Sequence, residues 1–457
     1  MFVFPENTDF NYDSIGLAPW VMKVNPILFA VLGESILRTL IFVGFFLSGV
    51  FFYGIAQKIN FFNSADRKIL TLFFLLLPFN TSRVALMVLH YSEAYFLFFF
   101  GWYLAVTFKS PTSKYVCVAL FFLSFQMHSL LFFYLLPIIH MFFLSKKTEV
   151  KKFRNWSKSS FIFLLLPITY YVLRSLYWPE QVAYHGALVS EIDESVGFLG
   201  FVSFLGFGFY FLYRRTSLRS RSSVLMISVG FLAVIVGIYP YVLYGYFVPN
   251  ESMPFRYLMT LLGRTSWYVR HQTLQPLGIS LVILGSLNYL RIKTGKLLQL
   301  GHHLVLVVCV VLNLGFGLEF VVDHSKQREI VSQLIIAGES ESVNHYEFLD
   351  QSWFLSARGQ LMPGIGWRGL IGLAYSSSEA GRVQVGTECV KRDDTRLVLI
   401  QGPETHWDAL KNWVSDGDMG FKVTVDDTPG ACKPEMVTSE KVSGAIPILF
   451  YFTGAKG

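Results

Sequence analysis

Runs of apolar residues long enough to cross a bilayer set the terms for this chain. They lie at 36–56, 69–89, 92–108, 160–178, 196–213, 224–247, 273–290 and 304–322, and each reaches the ~17–25 residues that a membrane-spanning α-helix needs. A further run, 115–144, is too long for one span and has basic residues at both flanks, Lys109 and Lys114 before it and Lys146 and Lys147 after it. Flanks on one side of a membrane require the chain to enter and return within the run. Gln126, His128 and Ser129 sit mid-run, where the turn must fall. Two short helices there bring the expectation to about ten spans.

Charge supports the same fold class. Only 15% of the 457 residues are charged and 53% are apolar, against about 25% charged in soluble domains. A disordered chain, a basic nucleic-acid-binding protein and an ordinary cytosolic enzyme are excluded as defaults. The net charge of +7 is a sum of unlike parts. Residues 1–322 hold 25 Lys and Arg against 13 Asp and Glu, whereas residues 323–457 hold 13 against 18.

Eighteen of the basic residues fall in alternate loops: Lys58, Arg67 and Lys68; Lys109 and Lys114; six from Lys146 to Lys158; Arg214, Arg215, Arg219 and Arg221; and Arg291, Lys293 and Lys296. Such a bias marks cytoplasmic loops. The opposite loops before the C-terminal region carry only Lys23, Arg256, Arg264 and Arg270. Both termini are therefore expected outside the cytoplasm of a bacterial inner membrane. For an N-terminus without a signal sequence, two explanations stay open: Met1–Phe4 is the stub of a missing helix, or the first span inserts unaided.

Three regions follow. Residues 1–35 form an extracytoplasmic acidic segment with an amphipathic juxtamembrane helix, and residues 36–322 form the transmembrane helical domain. Residues 323–457 change grammar, with alternating runs Arg396–Ile400 and Phe421–Val425 around a helical stretch Thr405–Val414. That pattern predicts an extracytoplasmic α+β domain. It holds Cys389 and Cys432, for which a periplasmic disulfide and two free thiols are both open. Cys117 and Cys309 fall inside spans, as core residues do. No phosphate-binding loop, paired CxxC or HExxH pattern occurs, so ATP-driven transport and a structural zinc site have no support.

Polar residues collect at the expected outer face. The segment from Pro5 to Asp13 carries Glu6, Asp9 and Asp13. A carboxylate at a cavity lip can act as general base toward a sugar hydroxyl, or help hold a divalent cation near a phosphate leaving group; a solvated terminal loop is the plain alternative. Arg83 lies late in the second run, amid Asn80, Thr81, Ser82, His90, Tyr91 and Glu93. A guanidinium at that depth pairs, faces a polar cavity or snorkels to the interface. Arg256, Arg264, Arg270 and His271 break the charge rule in one outer loop, interleaved with Tyr257, Trp267 and Tyr268. Arginine suits a lipid phosphate or diphosphate and aromatic rings suit a sugar or the interface; anionic lipid headgroups are the alternative ligand. His128, at the turn, is a candidate acid, base or phosphate donor. The acidic loop Pro179–Ser195 is a solvated loop or a mobile lid.

Several of these segments resemble GT-C glycosyltransferases that use polyprenyl-phosphate-linked sugars. Asn25–Phe29 through Leu32-Gly33-Glu34-Ser35 and Leu37-Arg38 is similar to the family's juxtamembrane helix and second-span opening. Leu89–Tyr95 resembles its Tyr-Ser-x-Glu-Ala segment, and Gln126–Leu131 its His-containing turn. The likeness covers about residues 5–145, with a topological match to 322. Two departures stand out: the family's first span is missing, and the acidic pair reads Asp-x-x-x-Asp rather than Asp-Asp. Arg83 with His128-Ser129 is also similar to EpsG/Wzy-like polysaccharide polymerases.

The resemblance implies periplasmic sugar transfer from a polyprenyl-linked donor to a lipid-linked glycan or other acceptor, in polysaccharide or lipopolysaccharide assembly. Asp9 or Asp13 would be the catalytic base. Arg83, Arg256, Arg264, Arg270 and His271 would hold the donor phosphate, while His128, His90, Glu93 and Trp267 would serve the sugar or acceptor. Membrane lipid and other members of an assembly complex are the implied partners; nucleic acid is not. A repeat-unit polymerase is the first rival. A lipid-linked glycan flippase is the second, although transporters place charge at mid-membrane and show internal repeats, neither of which is visible. A membrane-anchored protein whose C-terminal domain binds a partner is the third.

Overall fold

The computed structural model describes residues 19–59, 62–77, 89–108, 110–144, 149–179, 214, 221–243, 274–294, 301–338, 345–352, 370–371, 374–375 and 395–426. These are mostly helical, with one small sheet. In chain order the helices are α1 (Pro19–Gln57), α2 (Ser64–Leu76), α3 (Leu89–Thr107), α4 (Pro111–Ser124), α5 (Ser129–Phe133), α6 (Leu135–Leu144), α7 (Glu149–Tyr177), α8 (Arg221–Leu243), α9 (Gln275–Thr294) and α10 (Gly301–Ala337). The remaining elements are β1 (His345–Asp350), β2 (Thr395–Gln401), α11 (His406–Asp416) and β3 (Lys422–Asp426). The chain divides into two compact units between Asn313 and Leu314, within α10.

Among the described residues two helices are long and apolar enough to cross a membrane, Ile36–Gln57 of α1 and Gly301–Ala337. Shorter apolar helices lie at 111–124, 129–142, 161–177, 221–237 and 275–290. Their large side chains are not all turned inward. Phe42, Phe46 and Val50 of α1, Ile168, Tyr171 and Leu176 of α7, and Leu304, Val307 and Val311 of α10 are all exposed. Apolar faces of that extent suit lipid better than water.

Three element boundaries differ from the sequence expectation. Residues 20–34 and 36–56 form one continuous helix rather than a juxtamembrane helix and a span. It covers 39 residues. The single Gly33 costs a helix only about 1 kcal/mol, too little to break it before Ser35. In the second run, expected to span 69–89, α2 ends at Leu76, and residues 78–88 lie outside the described residues. Leu77 is extended (φ −58°, ψ 126°) because Pro78 follows, and a residue before proline is pushed out of the helical region. The last run passes without a break from 304–322 into the C-terminal unit as α10.

The 115–144 run does turn back in its middle. α4 ends at Ser124 and α5 begins at Ser129. Between them Gln126 N–H donates to the Leu123 carbonyl and Met127 N–H to that of Ser124. Ser110 caps α4 by accepting from the Ser113 N–H at 3.1 Å.

In the first unit α1 and α3 run parallel. Ser92 Oγ donates to the Ile41 carbonyl at 2.9 Å, Phe51 stacks on Phe100 at 4.7 Å, and a Cβ on Gly54 would lie 2.5 Å from Tyr103. α8 and α9 run antiparallel and closer still. A Cβ on Gly278 would stand 2.6 Å from the Gly230 oxygen, and one on Gly285 would stand 2.8 Å from the Ser223 oxygen. Small residues let backbones touch in this way, the usual means of helix association in lipid.

The core between the helices is aromatic. Phe73, Phe98, Phe99, Phe121, Phe125 and Phe133 are completely buried, and edge-to-face pairs such as Phe98–Phe121 at 5.3 Å each add about 0.5–1.5 kcal/mol beyond area. Cys117 and Cys309 are buried free thiols in this unit. At the Lys58 end Asn63 caps α2: its Oδ1 accepts from the Asp66 N–H at 2.8 Å and its Nδ2 donates to Asp66 Oδ2 at 2.7 Å. Asn288 Nδ2 of α9 donates to the other Asp66 oxygen at 3.1 Å, so the buried carboxylate ties α2 to α9.

In the second unit β1 pairs parallel with β2 and β2 antiparallel with β3. β2, α11 and β3 fall where the alternating runs and the intervening helical stretch predict. Thr405 and Asp408 cap α11 reciprocally, with Asp408 N–H donating to Thr405 Oγ at 3.1 Å and the hydroxyl donating to Asp408 Oδ2 at 2.6 Å. Gly417 ends the helix at φ 74°, a conformation that favours glycine. Two cations are buried here. Lys326 of α10 donates to Asp350 Oδ2 at 2.7 Å and to the Ser352 carbonyl at 3.2 Å. Arg396 donates to the Gly338 carbonyl at 2.6 Å and to the Tyr375 hydroxyl at 2.7 Å.

Candidate functional site

One end of the helical unit gathers polar and aromatic groups from four separate parts of the chain. Gln126 joins Trp20, near the N-terminus of α1, to His90, at the start of α3. The α4–α5 turn supplies Gln126, His128 and Ser129, and the end of α7 supplies Tyr170, Arg174 and Trp178.

Gln126 is the link. It is 4% exposed, and both halves of its amide are used. Its Oε1 accepts from the Trp20 indole N–H at 2.8 Å, and its Nε2 donates to the His90 carbonyl at 3.0 Å. An indole can only donate and a carbonyl can only accept, so this network sets the orientation of the amide. Burial makes either bond costly to lose, by about 1–3 kcal/mol for a group left without a partner.

Rings pack around this amide. Trp20 lies 5.7 Å from Trp178, edge to face, and 6.0 Å from Phe122. Tyr170 meets Phe122 at 5.3 Å, Phe125 at 5.6 Å, Trp178 at 6.2 Å and His128 at 6.4 Å. His90 lies against Tyr91 at 4.2 Å. His90 and Glu93 are three residues apart in α3 and so share a face. Arg174, in the last turn of α7, suits the negative end of the helix dipole.

Two hydroxyls give the region its chemical character. Ser129 Oγ and the Tyr134 phenol oxygen are buried and make no hydrogen bond to the protein. Buried polar atoms are nearly always satisfied, so a serine hydroxyl so placed suits a ligand with hydroxyl groups of its own.

Of the residues singled out from sequence, the structure brings His90 and His128 to this one end, with Glu93 a turn along α3 from His90. Asp9, Asp13, Arg83, Arg256, Arg264, Trp267, Arg270, His271, Cys389 and Cys432 lie outside the described residues. Tyr170, Arg174 and Trp178 are absent from the sequence-derived candidates. A signal for them existed, since Arg174 is a lone guanidinium late in the apolar run 160–178. Among the described residues no group of three or more His, Cys, Asp or Glu side chains is placed to hold a metal ion. Comparison of the chain with protein-family models, curated proteins and solved structures returned no match.

Proposed function

We propose that this chain is a multi-pass inner-membrane glycosyltransferase of GT-C type. It uses a polyprenyl-phosphate-linked sugar at the periplasmic face, in cell-surface polysaccharide or lipopolysaccharide assembly. About ten spans, with both termini outside the cytoplasm, accompany this proposal.

The observation that carries the proposal is the Trp20 end itself. Gln126 clamps α1 to α3 there, and the buried Ser129 hydroxyl, next in the chain to His128, bonds no protein group. The charge rule assigns this end to the outer face, because Lys58, Arg67, Lys68 and Lys114 lie at the opposite ends of α1 to α4. The charge rule also assigns the acidic segment 5–13 and the arginine-bearing loop to the outer face.

In the proposed reaction Asp9 or Asp13 takes the proton of the acceptor hydroxyl. That oxygen attacks the sugar carbon with inversion as the bond to the phosphate oxygen breaks. Arg83, Arg256, Arg264, Arg270 and His271 neutralise the departing phosphate, charge stabilisation being worth most where water is excluded. His90, His128, Glu93 and Trp267 position the sugar and acceptor. No step is assigned to a divalent cation.

Mass spectrometry of surface glycans and polyprenyl-linked intermediates from a deletion strain tests the proposal. Loss of one sugar with the rest of the glycan assembled supports it. Glycans truncated to a single repeat indicate a repeat-unit polymerase instead. Lipid-linked glycan retained on the cytoplasmic side indicates a flippase.

A further inference from the structure

The C-terminal unit carries an amphipathic helix turned the unusual way round. Ala409 of α11 is fully buried, and Asn412 and Asp408 are partly buried. Most of the large apolar side chains point elsewhere: Trp407 is 69% exposed, Trp413 52% and Val414 75%, with Leu410 partly buried between them. At about 100° per residue, Trp407, Leu410, Trp413 and Val414 occupy one continuous arc of about 120° and run about 10 Å along the helix. Helices of soluble units bury such a stripe and expose their polar face. Here a small alanine makes the packing contact and two tryptophans face out.

What α11 packs against indicates the occupant. Ala409 clusters with Leu318 and Val322 of α10, together with Met419 and Phe421. Leu318 and Val322 lie where the apolar part of α10 closes, with Glu319, Asp323, Lys326, Arg328 and Glu329 following Leu318. α11 is therefore fixed at the level where that apolar stretch gives way to charge, which for a spanning helix is the headgroup region. Tryptophan is enriched at that depth because its ring is apolar and its N–H can still reach water and headgroups.

We infer that α11 is an interfacial membrane helix, whose Trp407–Leu410–Trp413–Val414 stripe lies in the headgroup and upper acyl region of the bilayer beside α10. The inference rests on α10 crossing the membrane, as the proposed function has it. The contact would hold the sheet of the C-terminal unit against the membrane surface, where a lipid-linked glycan is presented.

The test uses the full chain reconstituted in bilayers containing lipids brominated at a shallow or a deep acyl position. Emission of the wild type minus that of Trp407→Phe/Trp413→Phe isolates the two tryptophans. That component is expected to lose most of its intensity to the shallow bromines and less to the deep ones, and to resist aqueous iodide. Red-shifted emission quenched by iodide and by neither lipid overturns the inference. Emission shielded from iodide and from both lipids also overturns it, and points to a second copy or another protein on the stripe. An added tryptophan separates the two levels of failure. A tryptophan placed on the exposed face of α1, Phe42→Trp, answers to the bromines if that unit spans the membrane. Lipid quenching of that tryptophan with none at Trp407 and Trp413 removes this inference alone, whereas none anywhere removes the spanning arrangement with it.

Discussion

The α8–α9 contact allows a sharp test of how the helical unit is held together. A methyl group added at Gly278 would sit 2.6 Å from the Gly230 carbonyl oxygen and 2.6 Å from the Val234 nitrogen, whereas ordinary contact begins at 3.4 Å. Both obstacles are backbone, so no rotamer change relieves them, and the helices must part by roughly 0.8 Å at this point. Overpacking of that kind costs about 1–3 kcal/mol, and a gap of 0.5–1 Å forfeits a quarter to a half of the dispersion at neighbouring contacts. The intrinsic helix gain of alanine over glycine, about 1 kcal/mol, works in the other direction.

Gly278→Ala should therefore destabilise by about 1–2 kcal/mol net. Gly317→Ala in α10, where an added Cβ meets nothing within 4 Å, should be neutral or stabilising by up to about 1 kcal/mol. Gly230→Ala meets the same contact from the other side at 2.7 Å. The double variant with Gly278→Ala should thus lose less than the sum of the singles, because one separation relieves both overlaps. Thermal unfolding of the purified protein, followed by loss of the monodisperse gel-filtration peak, ranks the variants. If Gly278→Ala and Gly317→Ala behave alike, or the double loss is additive, the close α8–α9 approach is wrong.

Two other substitutions probe the two units separately. Lys326→Met leaves Asp350 buried without its cation and should cost about 3–5 kcal/mol, with Lys326→Met/Asp350→Leu recovering much of it; hydrogen exchange at the β1 and β2 amides measures both, and no difference between single and double variants would refute the pairing. Ser129→Ala removes a hydroxyl that bonds no protein group, so stability should stay within about 0.5 kcal/mol while glycan synthesis falls. Loss of stability in step with loss of synthesis would make Ser129 merely structural.

How much of this was legible in the sequence varies with the physics behind each element. Ile36–Gln57 and the apolar part of α10 are read directly from hydropathy, because burial in lipid needs no partner to be specified. The turn at 125–128 is legible because basic flanks on one side force a return and Gln126 marks its place. β2, α11 and β3 are legible from alternation and from the Thr405–Asp408 cap. β1 is missed: His-Tyr-Glu-Phe-Leu-Asp is short and becomes a strand through pairing with β2. The continuity of α1 is missed because its amphipathic first part and its apolar second part differ in hydropathy, although backbone hydrogen bonding runs through both. At the site, His90 and His128 are legible as polar residues near helix ends. The Trp20–Gln126–His90 clamp is not, since its bonds join positions 106 and 36 residues apart and exist only after α1, α3 and the turn have packed.

The central claim is sugar transfer at the outer face with Asp9 or Asp13 as base. Its most direct test is mass spectrometry of surface glycans from cells whose only copy carries Asp9→Asn/Asp13→Asn, with expression and membrane insertion matched to the wild type. The account predicts a glycan lacking one sugar and a build-up of the polyprenyl-linked donor. A complete glycan with an unchanged donor pool would contradict it.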